Sequence, residues 1–590
     1  MITIDFETEA IEGNPIYRPP RAVGLAYLMD GHPPGYLHWV GDNGNTKWHI
    51  VADFLQQIWD SEESILCHNA PFDISVAMSH FNLPMLPWNR IHDTMFLCYL
   101  ADPYAHSLSL KPSAERYLDM PPEEQDTLTA WILANVSGAT RKNAGAFISR
   151  APVELITPYA IGDVVRTRAL YDHLIDKVPS EPYNRERQLM PLLMSSSKRG
   201  LRVATTPLAA ALDRAQTALA NADQTIRATL KAPNLELTKP VQVAAALASA
   251  GKLSHTMYTP TGRVATNKRA LVETCNDPAL VSMLAYRSSL ETCIGTFMMP
   301  WLTQAQEDGR LHPEWNQVRS TENGRFGTRT GRISCAKPNL MNVPTEFEQG
   351  IPPGFDPLPF MRQFLLPEEG HVWLKRDFSS QEIRIAAHFE DGVLLEAYRV
   401  DPNLDPHQMA QELIAAITGL EFQRKHVKIT GFQIIYGGGQ RAIASQVGCT
   451  EPEAADLKRA YFQAMPGIMQ LSRQVNALGR SGQHITTWGG RKYFAEIGKD
   501  GRNFAYKLLN YLIQGSAADQ TKQALIDWNS TQQDAVFLAT VHDEINISAP
   551  ADNWEPHMFH LREMMNYPRL DCPMESEGFY GTNWHELEAE

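Results

Sequence analysis

A chain of 590 residues, 43% hydrophobic and 20% charged, has room for roughly three to five domain-sized globular units. It carries no long uncharged apolar run to cross a membrane, and Met1 leads straight into a strand-like segment without a signal peptide, so a cytoplasmic protein with no membrane partner is expected. Seven scattered cysteines with no C-x-x-C pair argue against a zinc site or a disulfide framework, and the net charge of −14 argues on its face against nucleic acid.

In chain order, MITIDFET alternates Ile2, Ile4 and Phe6 with Thr3, Asp5 and Glu7, which predicts a strand presenting two acids on one face. HNAPFDISV adds Asp73, and YAIGDVVRT adds Tyr159 and Asp163 one helical turn apart. Any one of these acids alone reads as a solvated strand end or a helix cap. The polar, proline-bearing stretch VPSEPYNRERQ, around 178–188, predicts a domain boundary, and the alanine- and leucine-rich sequence after it predicts helices to about 320. The proline-rich stretch 344–360 predicts a surface loop.

Asp377 follows the apolar run HVWL, and Asp543 in VHDE follows AVFLATV. Carboxylates at the ends of neighbouring strands can share two Mg²⁺ ions about 4 Å apart, the geometry that displaces a phosphate group in line. Between them, RKHVKITGFQIIYGGG carries Arg424, Lys428, Phe432 and Tyr436 at intervals of four, along one drifting helix face. Two cations followed by two aromatic rings suit a nucleoside triphosphate. An amphipathic surface helix with an aromatic core stripe is the alternative for the helix alone. Against the acidic total, Arg319, Arg325, Arg329, Arg332 and Lys337 face only Glu322, and Arg491, Lys492, Lys499, Arg502 and Lys507 form a second basic cluster. Fields act over roughly 8 Å at physiological salt, so local patches outweigh the total and DNA binding that weakens with salt is expected.

DFSSQEIR, the R-x3-K-x3-F-x3-Y-G helix and VHDE resemble motifs A, B and C of the family A DNA polymerases. TRTGRISCAKPNLMNVP, from Thr328 to Pro344, and NYLIQGSAADQTK, from Asn510, resemble two further blocks of that family, in its order. The N-terminal segments resemble the three exonuclease motifs of the DEDD nucleases, of the subtype with a tyrosine in the third motif. The resemblance covers nearly the whole chain. It implies an α/β exonuclease domain of RNase H-like, DEDD type over 1–178, followed by a right-hand polymerase domain. There the helical thumb takes 189–320, the α+β palm with its antiparallel sheet takes 321–400 with motif A and 501–590 with motif C and the tail, and the helical fingers take 401–500 with motif B.

The resemblance also implies roles. Asp377, the backbone carbonyl of Phe378 and Asp543 hold metal at the polymerase site, with Glu544 as a supporting third acid. Arg424, Lys428 and His407 contact the triphosphate, and Phe432 packs on the nucleotide sugar and base. Tyr436 stacks near the template base, and Glu382 bars a 2′-hydroxyl. Arg332, Asn510, Gln514 and His542 touch the primer–template minor groove, whose acceptors look alike for every base pair. Asp5, Glu7, Asp73 and Asp163 hold the exonuclease metals, and Tyr159 orients the attacking water. The implied cofactors are two Mg²⁺ per site, with Mn²⁺ as an alternative. The implied partners are primer–template DNA, deoxynucleoside triphosphates and a replication helicase or single-strand-binding protein, acting on a monomer. Family members with a 5′-nuclease domain carry it at the N-terminus, where this sequence leaves no room, which suits a phage replication enzyme, with bacterial repair as the alternative. Gly431, Gln433, Ser380 and Phe378 depart from the usual motifs and bear on fidelity, and a helical glycine costs about 1 kcal/mol relative to alanine. A single-subunit RNA polymerase, a stand-alone DEDD nuclease and a non-catalytic scaffold each leave part of this pattern unexplained.

Overall fold

The computed structural model describes the chain except for residues 41–43, 260, 319–326, 348–349 and 532–533, so Arg319, Glu322 and Arg325 lie outside the described residues. The alternating N-terminal segment forms the strand Ile2–Thr8 at the centre of a five-stranded mixed sheet. Its neighbours are Ala22–Met29 and then Gly35–His38 on one side, both antiparallel, and Ile65–Cys67 and Ile91–Asp93 on the other, both parallel. Ile2, Ile4 and Phe6 point into an apolar layer with Leu55 and Ile74. The opposite face is covered by Leu128, Ile132, Ile156 and Val164. Asp93 ends its strand by accepting the backbone N–H groups of Asn69, Ala70 and Met95, which pins the starts of helices Ala70–His80 and Thr94–Ala101.

The stretch 178–188 is no exposed linker. It opens the helix Ser180–Arg199, with Pro182 in the first turn, where the missing N–H costs nothing. Tyr183, Arg185, Glu186 and Arg187 are all buried, so polarity here marks internal pairing. The Tyr183 hydroxyl accepts the backbone N–H of Asp93 and lies 3.2 Å from His92 Nδ1, while Arg187 donates to His92 Nε2 and to the carbonyls of Asn89 and Ile91. Arg185 instead donates to Gly489 O, and Glu186 binds Arg491 and Lys522 (Oε1–Nζ 2.6 Å). Arg491 also donates to Asp519 at 2.6 Å and is only 2% exposed, so it leaves the basic cluster expected to face DNA. A guanidinium with two buried carboxylates beside it is held in the core by them.

Helices Thr205–Thr229 and Pro278–Thr292 pack together, the second running on through a π-helical segment Cys293–Met298 to Gln304. The proline-rich loop is anchored to this unit, with the Tyr286 hydroxyl donating to Asp356 O at 2.8 Å. An antiparallel sheet follows in the order Val536–Val541, Glu544–Pro550, His371–Phe378, Ser576–Gly581, Leu587–Ala589. Strand alternation divides its side chains between two cores. Leu374, Phe537, Ile545 and Ile547 meet the helix Leu508–Thr531 and the helices between 381 and 480. Trp373, Leu538 and Trp584 meet the core of the 201–305 unit. Among the described residues no helix is long and apolar enough to cross a membrane.

Candidate active sites

Asp377 is the penultimate residue of the strand His371–Phe378, after which Ser380 adopts a left-handed backbone (φ 54°) and turns the chain into the helix Gln381–Glu390. The hairpin between Val536–Val541 and Glu544–Pro550 is closed by His542, also left-handed (φ 60°), and Asp543. The backbone N–H of Phe378 donates to the carbonyl of Asp543 at 3.3 Å, so both acids stand at one edge of the sheet. Burial raises the Asp377 carboxyl to about 7, and the charges of Asp543 and Glu544 add to it. Burial also raises Asp543, while the Arg332 guanidinium opposes it. Asp377 Oδ1 is buried without a hydrogen-bond partner.

Glu544 stands opposite Asp377 in register, on the same sheet face, with its own carboxyl group met by other side chains. Its Oε1 accepts from Trp584 and Asn546, and its Oε2 lies 3.2 Å from Lys375 Nζ. Glu382, in the first turn of its helix, is paired with Arg332, and its Oε2 is buried without a hydrogen-bond partner; burial, and next the charge of Glu382, raises the Tyr436 hydroxyl. Asn510 and Gln514 lie one turn apart on the helix Leu508–Thr531, and Asn510 Oδ1 is buried without a hydrogen-bond partner. Burial, and next the charge of Arg332, lowers the His542 imidazole.

The helix Arg424–Ile435 exposes Arg424 and Lys428, half-buries Phe432 and ends at Tyr436, 39% exposed. Arg424 Nη2 pairs with Asp405 at 2.6 Å. Asp405 caps the helix Pro406–Thr418 by accepting from His407 N and Gln408 N, which brings the His407 ring 5.6 Å from that of Phe432. Burial, and next the charge of Lys428, pushes the imidazole down to about 4. The motif departures have local reasons. A Cβ on Gly431 would stand 2.8 Å from the Tyr461 hydroxyl, and Gln433 accepts the Gly438 N–H through its carbonyl at the turn that follows.

In the first sheet, Asp5 and Glu7 leave the central strand on one face and meet Asp163 of the helix Val153–Leu174. Ligand oxygens of the three lie within 4.8 Å of one another. Asp73 stands apart from this trio, with Oδ1 accepting the Phe6 N–H at 3.0 Å, yet it is close enough for the Asp5 charge to raise it after burial does. Burial first, and then the neighbouring acids, raises Asp5 and Glu7. Burial raises Asp163 too, against the pull of Lys111, whose Nζ lies 2.9 Å from Asp163 Oδ2 and 3.7 Å from the centre of the Tyr159 ring.

The residues present fit hard divalent cations at both edges. The donors are carboxylate oxygens, and Glu7 Oε1, Asp163 Oδ1 and Asp377 Oδ1 are buried without hydrogen-bond partners. Among the described residues the trio of Asp5, Glu7 and Asp163 is the only group of three or more potential ligands with this spacing.

An acid-bearing mixed sheet followed by an antiparallel sheet with two edge carboxylates defines a nucleic-acid polymerase joined to an exonuclease. The chain belongs to DNA polymerase family A, whose sequence model matches residues 206–586, and a 3′–5′ exonuclease model matches residues 38–179. The DNA polymerase DpoZ of Vibrio phage phiVC8 is 26% identical to it, over 97% of this chain and 94% of the phage protein. DNA polymerase I of Pseudomonas aeruginosa is 26% identical over 99% of this chain and 63% of its own length. The POL domain of Pol1 from M. smegmatis, solved in complex with DNA primer-template and dNTP, superposes with a TM-score of 0.75 at 22% identity, over 96% of this chain and 93% of that one. The chain is thus a DNA polymerase enzyme with a 3′–5′ exonuclease domain, and template-directed DNA synthesis follows from that family. The exonuclease match starts after the strand carrying Asp5 and Glu7, and it is the geometry that joins them to Asp163.

Sequence reasoning missed Lys111, Arg362, Lys375 and Trp584. Lys375 had a signal, since two residues before Asp377 on one strand is the same sheet face. The others come from remote segments whose spacing carries none.

Proposed function

We propose that this protein extends a primer 3′-hydroxyl on a DNA template and removes mispaired 3′ ends at a separate centre, acting in phage DNA replication. Asp377 and Asp543, with the Phe378 carbonyl, would hold two divalent cations at the polymerase centre, and Asp5, Glu7, Asp73 and Asp163 two at the exonuclease centre. When bound, such ions lower the pKa of an attacking hydroxyl or water and neutralise charge on the phosphate and leaving group.

The protein's own groups do the remainder. Arg424 and Lys428, both exposed, pair with triphosphate oxygens, Arg424 by exchanging its partner Asp405 for them. His407, neutral at physiological pH, hydrogen-bonds to the triphosphate without adding charge. Phe432 supports the sugar and base, and Tyr436 stands near the template base. Glu382, held by Arg332, fills the space of a 2′-hydroxyl, so deoxynucleotides are taken. Arg332, Asn510, Gln514 and His542 follow the minor groove without reading sequence. At the exonuclease centre Tyr159 orients the attacking water. The division of labour follows the expected ranges, with 1–178 editing and 189–590 synthesising. A helicase or single-strand-binding protein would be the replication partner of a monomeric enzyme.

The observation that carries this reading is the placing of Asp377 and Asp543 together at one end of the sheet, with an unpartnered buried Asp377 oxygen. The test is a gel assay of an end-labelled primer on a longer template with Mg²⁺. Extension with deoxynucleotides and shortening without them supports both centres. Shortening alone would leave only a nuclease, and extension from ribonucleotides would turn the assignment toward an RNA polymerase.

A further inference from the structure

We propose that the C-terminal hairpin completes the polymerase centre, with Trp584 a positioning residue that acts through Glu544. The proposal rests on the reading of Asp377 and Asp543 as that centre.

Glu544 pairs in register with Asp377 across the sheet and is only 6% exposed. A carboxylate so buried is tolerated only where its charge and lone pairs are met. Here every near group is a donor. Trp584 Nε1 donates to Oε1 at 2.9 Å and Asn546 Nδ2 donates to the same oxygen at 2.7 Å. Lys375 Nζ lies 3.2 Å and Arg362 Nη1 3.8 Å from Oε2. An indole, an ammonium and a guanidinium cannot accept a hydrogen bond, so each of them can only donate toward this carboxyl group.

Trp584 is itself rigidly seated. It is 1% exposed, stacks on Trp373 with centroids 5.4 Å apart and planes at 16°, and carries the Arg362 guanidinium 4.3 Å from its ring centroid. Trp373 Nε1 donates to Asn546 Oδ1 at 2.8 Å, which closes a ring of Trp584, Glu544, Asn546 and Trp373. The backbone N–H of Trp584 reaches Leu365 O at 3.3 Å, tying the hairpin to the strand pair beneath the sheet. The ring therefore fixes the Glu544 charge beside Asp377 without making Glu544 a ligand. A negative charge held beside Asp377 would draw a cation to the same place.

The test uses Trp584→Phe, which keeps an aromatic ring and removes the donor, and Glu544→Gln. With the full chain, Trp584→Phe should lower kcat for extension about 10-fold, the loss of one charge-assisted hydrogen bond. It should raise the half-saturating Mg²⁺ for extension, and leave the deoxynucleotide KM and the Mg²⁺ dependence of primer shortening unchanged. A packing role would move the thermal transition and not the Mg²⁺ dependence of one centre alone. Because Trp584→Phe also risks misfolding, a second measurement needs no tryptophan variant. In metal-free protein labelled with ¹⁵N-tryptophan, one of the 12 indole N–H resonances should shift upfield on Glu544→Gln. Kinetic effects of the two substitutions that simply add, or an unmoved indole spectrum, would overturn the proposal. A wild-type chain that does not extend primers would instead remove the reading beneath it.

Discussion

Asp377→Asn should stabilise the metal-free protein at alkaline pH while ending synthesis. The carboxyl is raised from 3.8 to about 7, chiefly by burial and next by the Asp543 charge. A raised acid prefers its proton in the folded state, so below the unfolded value the group costs nothing. The cost then grows through the window from 3.8 to about 7 and is complete above it. A shift of about 3 units corresponds to about 4 kcal/mol at most, and solvent screening of a half-buried group brings that to about 2 kcal/mol. The isosteric amide removes the cost. Urea unfolding in EDTA, followed through the transition of the polymerase unit, should give the variant a higher midpoint near pH 8 and a matching one near pH 4. Added Mg²⁺ should favour the wild type, because only it gains from binding. A gain of the same size at both pH values, or none, would refute the account of Asp377.

Asp543→Ala should abolish primer extension and leave shortening intact, measured on one gel; loss of both would mean that the centres are not separable. Asp5→Ala with Glu7→Ala should do the reverse, and persistent shortening would sink the exonuclease assignment. Glu382→Ala should raise ribonucleotide incorporation, and a steady-state ratio of ribo- to deoxynucleotide use that does not rise would show that the gate lies elsewhere. Lys111→Met should slow shortening of single-stranded primer roughly 10- to 100-fold, as expected for a buried ion pair of about 1.5–3 kcal/mol, with extension unchanged; wild-type shortening would show that Lys111 only fills space beside Tyr159.

Local patterns were legible because they are local. The alternation at Ile2–Thr8 is a strand, the four-residue spacing from Arg424 is a helix, and each carries its functional groups with it. What failed to show was pairing between distant segments. Arg491 looked like part of a phosphate-binding patch because its partners, Glu186 and Asp519, lie 305 and 28 residues away. The run 178–188 read only as a polar boundary for the same reason, since its charges meet counter-charges brought by other elements. Glu544 was legible as an acid of the centre but its donors were not, as Trp584 lies 40 residues on and Arg362 far upstream. A buried ionic group announces only its polarity in a sequence, and burial has to come from the fold.

The helix Ser180–Arg199 joins the sheet that carries Asp5 to the rest of the chain, through Tyr183 and Arg187 to the 89–93 segment on one flank and through Arg185 and Glu186 to Gly489, Arg491 and Lys522 on the other. Anchors of that kind set a ruler. On the proposed assignment of the two centres, such an anchor would leave a faulty primer terminus to reach the editing centre by melting and swinging across, not by the protein folding over to meet it. Each paired nucleotide that must be peeled away lengthens the wait, and a mismatched end, already frayed, sets out sooner. Discrimination against errors would then owe part of its strength to a stopwatch, run by duplex stability and calibrated by one rigid helix.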